Sequence, residues 1–511
     1  MLCDLNVETY LKMKPLLCKN TSTIDINCDK LHKEVPESEE DFTPKWCEVI
    51  LKRENIIDEQ VTVDSVKLSR LSENDDDLAD GGGLTDAQII RLELSYGGKV
   101  DGSEPSTLIA KWFHKLSLQF SLKWRLMLRM NGEEYGGGLE EIFYRNDILF
   151  YRDALAIIKD KFQHPKVIYT GMIDNGNRNF WNGVVLNKPC NVKSITIMQD
   201  MKGWKSTNVI ENFKNGGLDR EQHEACFENI AIFHAAFWDN DMIKQHHTLK
   251  YPCSAEKEHR VAAHSKQALK SRNKKISTTK SCQRLIEKFK SNWAEDEWMM
   301  VSKGITMPSW FTAEPLSNGS QPVFQDPLVI EMIEVFAERY PNFNTSIASK
   351  YLKKPMQTLL HGDFHQGNHM YGVNENKGKV VCFDFQGVGM GRVATEFVYF
   401  CNLMPDISDI SNLAKVYHNA LVANGVKYYY WDNFKEDLII QFGESALKTI
   451  IDGSELKPKI FKEWLSMYGE KAKSFEKLFD LGVFGWNLVI LTDLYVKNKD
   501  GFLNPDTFGD I

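Results

Sequence analysis

The chain has 511 residues, 42% of them hydrophobic and 26% charged, which supplies enough apolar material for a large core and excludes a globally disordered polymer. Its formal net charge is −8, which excludes a general nucleic-acid binder, because neutralising phosphates needs a basic face. Asp4 and Glu8 interrupt the start and no run of about 18 apolar residues occurs, so neither a secretory leader nor a membrane span is expected.

Residues 1–55 are polar and charge-rich and read as an N-terminal extension holding short helices at most. From Val61 the pattern changes. VTVDSVKLSRL (61–71) reads as a strand with an irregularity in its middle. An acidic loop (72–84) follows, containing Gly81, Gly82 and Gly83. Two further strands read QIIRLELSY (88–96) and TLIAKWF (107–113). Residues 139–161 carry apolar positions at helical spacing. Strands are expected at 166–173, 181–187 and 193–201, and a helix with a solid apolar face at 219–238. Residues 240–325 read as a surface insertion whose stretch 254–284 is basic. From about 326 the chain is helical, interrupted by 359–387. The order gives an α+β plan of two lobes: a small β-rich N-lobe (56–201) and a larger, mainly helical C-lobe (202–511). Units do not alternate as βαβ, and no G-x-x-x-x-G-K-[ST] loop occurs, so a P-loop NTPase is disfavoured.

Ten cysteines are scattered without a C-x-x-C pair, which disfavours a zinc site. Cys382 and Cys401 lie in apolar runs and read as core thiols. With no leader, the thiols are expected reduced and the protein cytoplasmic.

The chemistry concentrates in LLHGDFHQGNHMYG (359–372) and KVVCFDFQGVG (379–389). Phosphoryl transfer needs a carboxylate to orient the attacking hydroxyl and oxygen ligands to hold Mg²⁺ against the nucleotide phosphates. Asp363 and Asn368 stand five apart on a glycine-bounded loop, and Asp384 ends an apolar strand. The spacing H-x-D-x-x-x-x-N followed by D-F-x mirrors a kinase catalytic loop and its metal-binding turn. The bland alternative is a polar hairpin turn whose Asp and Asn satisfy backbone groups.

HGDFHQGN and VVCFDFQ resemble the aminoglycoside phosphotransferase and choline kinase superfamily. With IAIFHAAFW (230–238), the chain looks most like its ecdysteroid-kinase-like branch. The resemblance implies a protein-kinase-like fold and ATP-dependent phosphorylation of small-molecule alcohols. It implies Asp363 as catalytic base, Asn368 and Asp384 as Mg²⁺ ligands, and His361 as a brace of the catalytic loop. It implies Lys111, on the third strand, as the grip on the α- and β-phosphates. The acid paired with that lysine is normally a glutamate; here Asp147 stands in its place, one methylene shorter, with Glu140 a second candidate. Gly81–Gly83 would cover the phosphates, and the backbones of Gln199 and Met201 would pair with adenine. Glu396 would brace the catalytic loop. His234 reads as a satisfied core histidine, and His365 is near enough to Asp363 to face substrate.

A protein kinase is disfavoured: no Arg precedes Asp363, no Gly follows Asp384-Phe385, and no A-P-E appears downstream. A catalytically impaired pseudokinase, serving as a nucleotide-binding or scaffolding module, is the non-enzymatic alternative raised by Asp147. Aromatics at Tyr428–Trp431 and Trp464 suit either a steroid-like or an amino-alcohol-like acceptor. The sequence does not choose between them, nor does it indicate an oligomeric state.

Overall fold

A computed structural model describes residues 35–71, 87–113, 145–158, 161–174, 192–206, 218–246, 327–404 and 409–455, scattered positions in 249–287, and most of 491–504. Gly81–Gly83, Glu140, the strand expected at 181–187, most of the basic stretch 254–284 and Trp464 lie outside the described residues.

Among the described residues the first α-helix is α1 (Pro44–Arg53), capped by the Thr43 side chain, which accepts the Trp46 N–H at 3.1 Å. The strands β1 (Val61–Arg70), β2 (Gln88–Gly98) and β3 (Thr107–Phe113) follow. Helix α2 (145–158) contains a π-helical turn, Phe150–Ala154. β4 (Val167–Asp174) and β5 (Val192–Gln199) complete a five-stranded antiparallel sheet of order β1-β2-β3-β5-β4. The irregularity expected in the first strand is a register shift between Val63 and Ser65. Leu108, Ala110 and Trp112 of β3 alternate into the core, so Lys111 is turned to the opposite face.

One expectation is corrected. Residues 35–55 are not a loose extension: Val35, Phe42, Trp46, Cys47, Ile50 and Leu51 are buried in one cluster with Ile90, Leu92, Ala110, Trp112 and Ile195 of the sheet. Trp112 Nε1–H donates to the Pro36 carbonyl at 2.8 Å. Each fully buried side chain of this size contributes about 1.5–3 kcal/mol, so this packing makes α1 part of the N-terminal layer.

The second layer is mainly helical. β6 (Trp204–Ser206) leads to α3 (Arg220–Ala236), which starts in a capping box between Asp219 and Gln222. After α4 (Asp241–Gln245) come α5 (Pro327–Phe343), α6 (Ser349–Lys353), β7 (Thr358–Leu360), β8 (His369–Gly372), β9 (Val380–Cys382) and β10 (Gly389–Gly391). The helices α7 (Val393–Cys401), α8 (Ile410–Ala423) and α9 (Trp431–Glu455) follow. Phe150 and Tyr151 of α2 join the core of this layer with Phe233, Phe385 and Phe397. Cys382 and Cys401 are buried and unbridged, as expected. Among the described residues no helix is long and apolar enough to cross a membrane.

The aromatic run 428–431 does not form a pocket wall as a unit. Tyr428 and Tyr430 are exposed, while Tyr429 is buried and donates to Asp437 at 2.9 Å. Trp431 packs edge-on against His418.

Candidate active site

Two short strand pairs bring the chemical residues together. β7 pairs with β10, opposing Leu360 to Gly389, so the loop after β7 and the turn before β10 lie side by side. β8 pairs with β9, opposing His369 to Cys382. Asn368 precedes β8 and Asp384 follows β9, and the Phe383 N–H donates to the Asn368 carbonyl at 3.1 Å. Residues distant in the chain thereby share one end of a hairpin.

The loop after β7 crosses the turn after Asp384 with no room for a side chain. Gly362 has φ +83°, and a Cβ there would stand 2.0 Å from the Gly387 carbonyl oxygen. Asp384 itself has φ 70°, in the left-handed region that non-glycine residues rarely occupy. What holds it is its neighbour. Phe385 is fully buried and stacks on Phe150 with centroids 3.9 Å apart, and His361 and Phe233 press on it from other sides.

Lys111 reaches this turn from the sheet. Its Nζ lies 2.5 Å from Asp384 Oδ1 and 3.2 Å from Asp147 Oδ2. Aspartate therefore spans the distance for which a glutamate was expected. Burial disfavours the ammonium, but the two carboxylates overcome that and hold Lys111 above its ordinary range. Burial pushes the Asp147 carboxyl up to about 6; Lys111 opposes the rise and Asp384 adds to it.

Asp363 is held firmly through one carboxylate oxygen and weakly through the other. Tyr399 Oη–H donates to Oδ1 at 2.9 Å, and Asn368 Nδ2 lies 3.4 Å from Oδ2. Asn368 Nδ2 also donates to the Asp363 carbonyl at 2.8 Å, which orients the amide oxygen away from that carbonyl. His365 Nε2 stands 3.7 Å from Asp363 Oδ1, while its Nδ1 accepts the Gly367 N–H. His361 is buried and does not face a cleft. Its Nδ1 accepts the Asp363 N–H at 3.3 Å and its Nε2–H donates to the Phe383 carbonyl at 2.9 Å. Burial holds its ring below the ordinary histidine range, consistent with that neutral tautomer.

Beneath the loop lies Glu396, about 1% exposed. It accepts the N–H of His361 at 3.0 Å, the N–H of Gly362 at 2.6 Å, and His234 Nε2–H at 2.7 Å. His234 is the satisfied core histidine expected, with its Nδ1 2.6 Å from the Tyr417 hydroxyl. At the sheet end, Gln199 closes β5 and donates its N–H to the Lys166 carbonyl at 2.8 Å. Met201 follows it and accepts the Trp204 N–H at 3.1 Å, while Asp200 pairs with Arg91 at 3.0 Å.

The sequence reading missed Tyr399, although the hydroxyl lies on the same helix as Glu396 and three residues later. That i, i+3 spacing on α7 was the available signal. Among the described residues no group of three His, Cys, Asp or Glu side chains could hold a metal by itself. One carboxylate and one amide oxygen suit Mg²⁺, which keeps several waters and completes its shell from substrate phosphates.

Residues 138–429 match the model of the ecdysteroid kinase-like family. A search of curated proteins returns no significant match. Similar solved structures include a spectinomycin phosphotransferase in complex with ADP and spectinomycin, at 10% identity and TM-score 0.35, with 84% of this chain and 94% of that chain covered. Another is the ethanolamine kinase of Plasmodium vivax, at 12% identity and TM-score 0.31, with 94% and 97% covered. A third is the choline kinase of Cryptosporidium parvum, at 10% identity and TM-score 0.31, with 86% and 98% covered. The family match spans more than half of the 511 residues, and the chain belongs to the ecdysteroid kinase-like family.

Proposed function

We propose that the protein is an ATP-dependent kinase that transfers the γ-phosphoryl group to the hydroxyl of a small molecule. The observation that carries this is the meeting of Lys111, Asp147 and Asp384 within 3.2 Å, beside a loop that presents Asp363 and Asn368. Burying a lysine is costly unless it is paired, and here two carboxylates hold the charged ammonium at a position from which it can grip phosphate oxygens.

The N-lobe would hold the nucleotide. The Gln199 N–H and the Met201 carbonyl are already engaged. The Gln199 carbonyl and the Met201 N–H are therefore the backbone groups that would pair with adenine. Lys111, still paired with Asp147, would turn its ammonium from Asp384 toward the α- and β-phosphates. Asn368 and Asp384 would hold Mg²⁺, which when bound neutralises charge on the phosphates. Asp363 would orient the acceptor hydroxyl in line with the γ-phosphorus and accept its proton. The Glu396 carboxylate keeps the backbone on the N-terminal side of Asp363 from shifting. His361 locks the loop to the Phe383 carbonyl and stays out of the chemistry.

The acceptor is a small-molecule alcohol, with steroid-like and amino-alcohol-like compounds as the two classes to test. The test is transfer of labelled γ-phosphate from Mg·ATP to a panel of sterols, choline, ethanolamine and amino sugars, with Asp363→Asn beside the wild type. Transfer by wild type alone is expected. Equal turnover by both proteins across the panel would remove Asp363 from the mechanism.

A further inference from the structure

Glu396 and Tyr399 lie three residues apart on α7, a spacing that aims both side chains at one target. Glu396 holds the backbone of His361 and Gly362, and Tyr399 holds the carboxylate of Asp363. The two oxygens of that carboxylate are not equivalent. Oδ1 receives the Tyr399 hydroxyl at 2.9 Å and faces His365 Nε2 at 3.7 Å. Because His365 Nδ1 accepts the Gly367 N–H, the proton of that ring stands on Nε2 and points toward Oδ1. Among the described residues, Oδ2 has one weak hydrogen-bond neighbour, the Asn368 amide at 3.4 Å. A charge-assisted hydrogen bond to one carboxylate oxygen occupies that oxygen and restrains the plane of the group.

We infer that Tyr399 is a positioning residue that occupies Asp363 Oδ1 and leaves Oδ2, on the Asn368 side, as the oxygen that receives the acceptor proton. In the step it serves, the acceptor oxygen forms its bond to the γ-phosphorus. The bond from that phosphorus to the β,γ-bridging oxygen breaks, and ADP leaves with the electron pair. The hydroxyl proton passes to Oδ2. Without the Tyr399 bond the carboxylate plane can turn, and Oδ2 is no longer held beside the side of the loop that presents Asn368. His365, at 3.7 Å, is too far to replace the phenol.

This inference rests on the reading of Asp363 as proton acceptor, and a double-mutant cycle separates the two. Tyr399→Phe, Asp363→Asn and the pair are assayed with Mg·ATP and the best alcohol of the panel, or with water as acceptor. Nucleotide affinity is read independently with a fluorescent ADP derivative. Tyr399→Phe should lower kcat by roughly 10- to 100-fold, while KM for ATP and the affinity for the ADP derivative stay within about twofold. The double variant should be no slower than Asp363→Asn alone. Tyr399→His keeps a ring and an N–H donor and should recover part of the lost rate. Wild-type kcat in Tyr399→Phe, a loss that multiplies with that of Asp363→Asn, or a histidine variant no faster than the phenylalanine one would overturn the role of Tyr399 while leaving Asp363 in place. Wild-type turnover in Asp363→Asn would overturn both.

Discussion

Glu396 Oε2 stands 2.7 Å from His234 Nε2, and neither side chain is more than about 1% exposed. Since the same carboxylate receives two backbone N–H groups of the loop before Asp363, a hydrogen-bonded chain runs from Tyr417 on α8 through α3 and α7 into that loop. Under the proposed function, the pair supports the loop that positions Asp363.

Glu396→Gln tests that support. An amide has one acceptor oxygen where the carboxylate has two, so at least one buried N–H loses its partner. Leaving a buried donor unmet costs about 1–3 kcal/mol. The melting temperature should fall, and phosphoryl transfer should fall with it, because the displaced backbone carries Asp363. Thermal melting and steady-state kinetics read the two effects. A variant with unchanged melting and unchanged turnover is incompatible with the brace.

Two glycines with nearly the same backbone angle allow a controlled comparison. Gly362 has φ +83° and would drive a Cβ against the Gly387 carbonyl; Gly378 has φ +84° and nothing within 4 Å. Gly378→Ala should cost only the left-handed conformation, about 1–2 kcal/mol. Gly362→Ala pays that and must also push the two active-site loops apart. It should be the less stable by urea denaturation and should lose measurable transfer activity, while Gly378→Ala keeps it. Equal stability of the two variants would mean that the loops are not in close approach.

The parts of the fold that announce themselves in the sequence are those with local periodicity. β1, β2, β3 and β5 alternate, and α3 carries both a capping box and an apolar stripe, so each is readable from its own residues. The place of α1 is not readable in that way. Trp46, Cys47, Ile50 and Leu51 recur at helical spacing behind the Thr43 cap, so the apolar face is legible, but nothing local says that the surface it covers is the sheet. The π-turn in α2 has no residue signature. At the site, the acids and the amide could be named because loop spacing restricts them. Tyr399 was harder to single out, because a tyrosine in an apolar helix is usually core and only its i, i+3 relation to Glu396 set it apart. The aromatic run at 428–431 misled for the opposite reason: adjacent residues on a turn point in different directions, and two of the four face water.

The π-turn is tied down by Asp153, and that tie has a pH dependence. Burial works against the Asp153 charge, yet the bonds from Arg152 and His246 overcome it and hold the carboxyl at about 2. A carboxyl depressed in the folded state stabilises above its unfolded value of about 4, and that contribution disappears as pH falls from about 4 toward 2. The amount at neutral pH is at most about 2 kcal/mol, since Arg152 is half exposed. Urea midpoints at pH 7 and pH 3 should therefore differ more for wild type than for Asp153→Asn. The same difference in both proteins would show that these bonds do not stabilise the folded state.

Phe385 carries the last prediction, because it links the strained backbone of Asp384 to the core. Its ring is enclosed by Phe150, Phe162, Phe233 and His361, which come from α2, the segment before β4, α3 and the loop after β7. Truncation to alanine removes the stacking and leaves a cavity, a loss of about 3–5 kcal/mol for a buried phenylalanine. The left-handed conformation of Asp384 persists only while its surroundings impose it, so the released backbone should relax to an ordinary φ. Asp384 then withdraws from Lys111 and from the Asn368 side of the hairpin. Phe385→Leu fills most of the volume and should lose stability by a smaller amount, while still holding the turn. The expected order for affinity toward a fluorescent ADP derivative in the presence of Mg²⁺ is wild type, then Phe385→Leu, then Phe385→Ala. If the alanine variant remains folded by circular dichroism and binds the nucleotide as wild type does, the aromatic enclosure contributes to stability alone and the orientation of Asp384 is imposed by the β8–β9 hairpin.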